Sequence, residues 1–364
     1  MATMAVGSAK ANLMFQFTST GNSQVDAALV QAGQLWSHVI RDNVTVSVFT
    51  DYASLGSEAS AGTAAWRLRT EYATLRNQLL VHTTSPDDVI ACAQLSAGSC
   101  HSFYRNDRDG TPSFDNDRST NNRTLETTWA NARVLGFQLP NNPYDGAIHF
   151  NSDCLYDFDR SDGIGANAYD FIGVATHELG HVLGFISNAD VEDLYTAPNG
   201  PQKAHDANGS LPGLGQEDYP FTILDMFRYK AESNGARDFT LGGTPYFSID
   251  GGATDLAQFS TGYYNGDGFE ASHWQNSAAL GVMQPTIRPG KLATISPLDL
   301  IAIDVIGYAV IPEPSSITAL GIGALSLLAY ASCASRRCGS CANPADAYSP
   351  IEQEPRHSSG WHAV

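Results

Sequence analysis

The chain has 364 residues, 43% hydrophobic and 16% charged, enough for one large globular domain or two ordinary ones. Its formal net charge is −18, from 20 Lys and Arg against 38 Asp and Glu. That balance excludes nucleic acid as the main partner, because a phosphate footprint needs clustered cations, and it fits a soluble, self-repelling surface.

In chain order, Ala9-Lys10-Ala11 reads like a small-residue cleavage site, so residues 1–11 are read as the remnant of a signal peptide whose start lies upstream. From Asn12 a short apolar strand, Leu13 to Phe17, precedes a helix around Val25 to Ile40. In that helix Val25, Ala28, Leu29, Ala32, Leu35 and Trp36 recur at three- and four-residue spacing and mark one buried face. A β-branched strand follows at Val44 to Phe49, and a second helical stretch is predicted from Ala64 to Leu80. Ser102 to Asn122, dense in Asn, Asp, Ser and Gly, is read as a surface loop. Ala147 to Phe150 is a strand candidate and Phe171 to Phe185 a helix. Strands and helices ahead of a central helix predict an α+β fold with a mixed sheet. Residues 188–219 shift to Gly, Pro, Asn and Asp and read as an insertion-like loop without a core of its own.

Six cysteines are present, and Cys338 and Cys341 form a lone CxxC without the second pair of a zinc ribbon. Cys92 and Cys100 are close enough for a local disulfide in an exported chain, which leaves Cys154 as a buried thiol. Asp157, Asp159, Asp162 and Asp170 surround a Gly turn. Hard oxygen ligands in that setting suit Ca2+, but the spacing is not that of an EF-hand, so an Asx-rich turn is the favoured reading and Ca2+ the alternative.

The stretch that carries chemistry is Thr176-His177-Glu178-Leu179-Gly180-His181-Val182-Leu183-Gly184-Phe185. HExxH on a helix places two imidazoles one turn apart on the same face, so both can direct lone pairs at one ion, with Glu178 beside them to take a proton from water. Zn2+ suits two imidazoles and brings a water pKa to about 7. Burying two His and a Glu without a shared partner is costly, which weighs against an incidental core helix. An intramembrane peptidase is the alternative setting for such an apolar run. The run is bounded by Asp170 and Asn188-Ala189-Asp190, and no further spans accompany it.

A catalytic zinc needs a third protein ligand and an open position. A compact metzincin would place it ten residues after the first ligand, where this chain has Ser187. A gluzincin would use a Glu on a later helix. The remaining histidines before the C-terminal segment are His205, in the polar loop, and His273, in Ser272-His273-Trp274, ten residues before Met283. HELGHVLGF, a long insertion, SHW, VMQP, and then Ser296-Pro297-Leu298-Asp299 leading to Ile306-Gly307-Tyr308 together resemble the leishmanolysin branch of the metzincin zinc peptidases. The resemblance covers about Ala147 to Tyr308. It implies a metzincin-like zincin over 12–310, one catalytic Zn2+ on His177, His181 and His273, Glu178 as general base, Gly184 as the turn after the active-site helix, and Met283 as the Met-turn methionine. In that family the strand around Ala147 to Asn151 would be the sheet edge that binds an extended peptide, with His149 facing the cleft or the sheet interior. Ser296 and Pro297 start a helix from Leu298 to Ile306 that Gly307 stops, with Leu298, Ile301, Ala302 and Val305 packed beneath the site.

The C-terminus sets the expected compartment. Ile317 to Ala334 carries no charge, is at the lower length limit for a hydrocarbon core of about 30 Å, and is followed by Arg336 and Arg337. With Pro312-Glu313-Pro314 just upstream, residues 311–337 resemble the PEP-CTERM sorting signal of Gram-negative bacteria, with membrane span 317–334 as a single sorting helix and a polar tail at 338–364. That resemblance implies export, transient residence in the inner membrane and an exosortase as partner. The tail is longer than such signals usually carry. The functional expectation is an exported endopeptidase acting on protein or peptide substrates. The rivals are an adhesin that keeps the zinc fold without its activity, and a zinc hydrolase of other amides. Cys154 as a zinc-blocking thiol is a further option for latency.

Overall fold

A computed structural model describes residues 12–56, 60–107, 110–195, 219–276 and 280–311. Residues 1–11 and 312–364, on which the expectations of a signal-peptide remnant, a sorting signal and a membrane span fall, lie outside the described residues. Among the described residues no helix is long and apolar enough to cross a membrane.

The first half is built on β1 (Met14–Phe17), α1 (Ser23–Val39), β2 (Thr45–Ala53) and β3 (Ala61–Ala65). There follow β4 (Arg67–Glu71), α2 (Tyr72–Val81), α3 (Pro86–Ala93), β5 (Phe103–Asn106), β6 (Pro112–Asp115), α4 (Thr120–Arg123), β7 (Thr124–Thr128), α5 (Trp129–Val134) and β8 (Gly146–Asn151). Among the described residues the main sheet has four strands in the order β1-β2-β8-β3. β1, β2 and β8 are parallel, and β3 runs antiparallel on β8 as an edge. The buried face of α1 is the one its periodicity indicates, and Asn22 caps the helix by accepting from the amides of Gln24 and Val25. The α+β architecture with a mixed sheet is therefore as expected.

Several sequence expectations are corrected. The stretch 64–80 is helical only from Tyr72. Before that, Arg67, Arg69 and Glu71 are exposed and alternate with half-buried Leu68 and Thr70, which is the period of a strand. Arg69 lies opposite Glu126 on β7 and pairs with it at 3.1 Å. The polar stretch 102–122 is not a surface loop. It holds the β5–β6 hairpin and α4, with Phe103 fully buried and the buried Asn122 donating to the carbonyls of His101 and Asp115. Nor is β8 the sheet edge, since β3 covers its outer side. His149 is exposed and lies 3.5 Å from Asp51, away from the cleft. Cys92 and Cys100 are free thiols, and Cys154 is half-buried rather than a core residue.

The second half begins with β9 (Tyr156–Asp157), β10 (Tyr169–Asp170), the active-site helix α6 (Phe171–Leu183) and α7 (Ala189–Tyr195). Residues 188–219 are thus not loop throughout: α7 opens them, and its buried Glu192 pairs with buried Arg105 at 3.2 Å. Residues 196–218, including His205, lie outside the described residues. Short strands β11 (Phe221–Thr222), β12 (Arg228–Tyr229), β13 (Arg237–Asp238), β14 (Tyr246–Phe247) and β15 (Ala257–Gln258) follow, and β12 to β15 join β5 and β6 in a second sheet. The chain then runs without regular structure to α8 (Pro297–Val305). Ser296 and Asp299 cap α8 reciprocally, and Pro297 occupies its first turn. The buried face of α8 is Leu300, Ala302, Ile303 and Val305, with Leu298 and Ile301 only half-buried. This is rotated from the expected face because Asp299 and Asp304 also turn inward.

Candidate metal centre

α6 is fixed at both ends and from below before any ligand is considered. Asp170 caps it through the Gly173 amide at 3.0 Å and takes a two-bond clamp from the Arg160 guanidinium at 2.9 and 2.7 Å. Trp36 of α1 donates its indole N–H to the Thr176 carbonyl at 2.9 Å. At the far end Gly184 adopts φ 120°, a left-handed conformation in which a side chain is strained, and its turn returns the carbonyl of Phe185 to the His181 ring. Tyr308 closes this end by donating to the Leu183 carbonyl at 2.8 Å.

His177 and His181 stand one turn apart on α6, and His273, 92 residues after His181, reaches the same point. Their three Nε2 atoms lie 3.1, 3.2 and 3.3 Å from one another. Each Nδ1 is engaged by a backbone carbonyl: Val282 for His177 at 2.7 Å, Phe185 for His181 at 2.7 Å, and Glu270 for His273 at 3.2 Å. A carbonyl only accepts, so each Nδ1 carries the proton and each Nε2 presents a lone pair. Three lone pairs converging in a buried site repel one another unless a cation sits between them. Burial and the neighbouring imidazoles hold His181 down to about 3 and His273 well below its usual range, which keeps those rings neutral and able to ligate. Among the described residues these three form the one group of His, Cys, Asp and Glu that could hold a metal. Imidazole nitrogens, each oriented by an outer partner, fit Zn2+.

Met283 is fully buried beneath the triad. Gly180, inside HExxH, has no room for a Cβ, which would collide with the Met283 Sδ and touch the Trp36 ring. Asp299 of α8 ties this floor together: its carboxylate accepts from the Trp274 indole at 2.8 Å, the Val282 amide at 2.9 Å, the Met283 amide at 3.3 Å and the Ser296 amide at 2.8 Å. Glu178 projects into a cleft of about 1470 Å³ walled by β3 on one side and Gln284 to Pro289 on the other. Its Oε2 accepts from the Thr63 hydroxyl of β3 at 2.6 Å. Burial pushes the Glu178 carboxyl up, and His177 and the Thr63 hydroxyl pull it back.

The structure therefore brings together all five residues expected at the metal (His177, Glu178, His181, His273 and Met283) and places Gly184 at the turn. It does not bring the acidic turn together as a metal site. Asp157 accepts the amides of Asp159 and Gly165, Asp159 accepts that of Ser161, and Asp170 is the helix cap. Neither these carboxylates nor Asp162 belong to a metal-holding group. Cys154 lines the cleft but is not part of the triad's group. Sequence reasoning missed Thr63, Asp190 and the role of Asp299. Only Asp299 carried a signal, the Ser-x-x-Asp capping pattern.

The matrixin (Peptidase_M10) family model matches residues 100–198. The match spans α6 and ends before His273 and Met283. It supports a zinc-dependent metallopeptidase of the metzincin type, a hydrolase whose substrates are proteins or peptides. No curated protein and no solved structure matches the chain.

Proposed function

We propose that the chain is a zinc endopeptidase with a displaced third histidine, in the manner of the leishmanolysin branch, acting outside the cytoplasm. The observation that carries this reading is the convergence of three lone-pair Nε2 atoms beside a buried Glu178 at the floor of an open cleft. Zn2+ held by His177, His181 and His273 supplies a Lewis acid for the scissile carbonyl and lowers the pKa of water to about 7. Glu178 takes the proton from the attacking water and delivers it to the leaving amine nitrogen. Thr63 holds one carboxylate oxygen and so fixes where that proton is received.

The cleft admits an extended chain. β3 is the edge of the main sheet, and a peptide laid beside it completes the ladder through main-chain bonds, so β3 takes the role first expected of β8. Export, exosortase processing and passage through the inner membrane belong to this proposal on the sequence of residues 311–337 alone. Zinc content and casein cleavage test the enzymatic part. The parent is expected to hold about one zinc and cut casein, Glu178→Ala to keep zinc and lose cleavage by roughly 10²–10⁴-fold, and His273→Ala to lose both. Zinc binding with Glu178→Ala as active as the parent would reject Glu178 as the base.

A further inference from the structure

We propose that Asp190 and Ser272 form a latch that positions His273 for metal binding, an inference that rests on the metallopeptidase reading above. A ligand 92 residues beyond its partner is not placed by helix geometry, and closing so long a loop carries an entropic cost that local contacts must offset. The chain meets this at residue 187, the position ten after His177. There Ser187 donates its amide to the Ser272 hydroxyl at 2.9 Å. That hydroxyl donates in turn to Asp190 Oδ2 at 2.5 Å. The Asp190 carboxylate also accepts the amides of Ala271 at 2.5 Å and Ser272 at 3.1 Å. The amides of the two residues immediately before His273 are thereby bonded to the start of α7, just after the turn that ends the active-site helix.

The other side of His273 is held independently, with its carbonyl accepting from Ser260 at 2.9 Å and the Trp274 amide donating to Met283 at 3.0 Å. The base of the latch is itself anchored. Asp225 accepts from the Ser187 hydroxyl at 2.5 Å and the Asn188 amide at 2.9 Å. Neither Asp190 nor Ser272 bonds to the imidazole, so both act through the backbone and are positioning residues. The latch replaces chain continuity: residue 187 supplies no ligand but docks the segment that does.

The test uses the full chain and reads zinc affinity by competition with a chromophoric chelator, together with the visible absorption of the Co2+-substituted protein. Asp190→Ala and Ser272→Ala are expected to weaken zinc binding by about 10–100-fold and to reduce the tetrahedral Co2+ bands, with the far-ultraviolet dichroism of the metal-free protein unchanged. Ser272→Thr keeps the hydroxyl and is expected to stay within about 3-fold of the parent. Should Asp190→Ala fail to fold, the two Ser272 variants decide. Parental zinc affinity and Co2+ spectra in Ser272→Ala would overturn the latch. So would a loss of affinity matched by an equal loss of stability in the metal-free protein, which is the mark of an ordinary structural contact. A parent that takes up no zinc would instead overturn the metallopeptidase reading itself, and the latch with it.

Discussion

His177, Glu178 and His181 occupy one turn of a single capped helix, whereas His273 and Met283 arrive on irregular chain held only by tertiary bonds. In the first region the backbone hydrogen bonds that make the helix also set the ligand spacing, so geometry follows from five consecutive residues. In the second region the same precision comes from buried side chains accepting backbone N–H groups, chiefly Asp299 and Asp190. The comparison teaches that the ligand spacing of the helical half is set locally, although its His177 ring takes its orientation from the Val282 carbonyl of the other half. The displaced half is only as well placed as the polar groups that dock it.

The largest expected effect therefore falls on the displaced half. Asp299→Ala removes a buried acceptor that satisfies the Trp274 indole and the amides of Val282, Met283 and Ser296, and each orphaned donor costs about 1–3 kcal/mol. Thermal unfolding should show a loss of at least about 3 kcal/mol, accompanied by weaker zinc binding. A change below about 1 kcal/mol would mean that the Met-turn needs no such anchor.

A smaller effect is expected from Thr63→Val, which keeps the shape of β3 but removes the donor to Glu178. A hydrogen bond to a charged group contributes about 1.5–3 kcal/mol, so kcat should fall by roughly 10- to 100-fold, with KM and zinc affinity little changed. Equal losses in kcat and zinc content would place Thr63 with the metal rather than with the base, and Thr63→Ser should restore most of the rate.

A pH-dependent effect concerns the helix beneath the site. Burial, against the pull of the Ser85 hydroxyl, pushes the Asp304 carboxyl up to about 7, above its unfolded value of about 3.9. The folded protein then binds more protons than the unfolded chain between these values, so this group's contribution is full below about pH 4 and is lost as pH rises through 7. Asp304→Asn should flatten that part of the stability profile, by at most about 1.4 kcal/mol per pH unit. An unchanged slope would show that another group sets it.

The uneven legibility of the fold has the same origin. HExxH, its Gly184 stop and the capped α8 are local patterns, and they appear in the structure where the sequence puts them. α1 was readable because six apolar residues repeat at helical spacing on one face. β4 was not, because Arg67, Arg69 and Glu71 hide a two-residue alternation whose meaning depends on Glu126 in a strand more than fifty residues away. The polar stretch 102–122 misled for a related reason: Asn121 and Asn122 are buried and bonded within the fold, a state that composition does not distinguish from solvation. β8 looked like the edge because nothing local to it announces that the small-residue segment 61–65 pairs on its far side. Thr63 and Asp190 were invisible for want of any pattern, since each matters through a partner distant in sequence.

The convergence of His273 with the helix histidines is most directly tested by zinc-edge X-ray absorption fine structure on the zinc-loaded parent and on His273→Ala. The parent is expected to show three imidazole nitrogens at about 2.0–2.1 Å, and the variant two with a marked loss of affinity. Identical coordination and affinity in the two proteins would contradict a centre built from His177, His181 and His273.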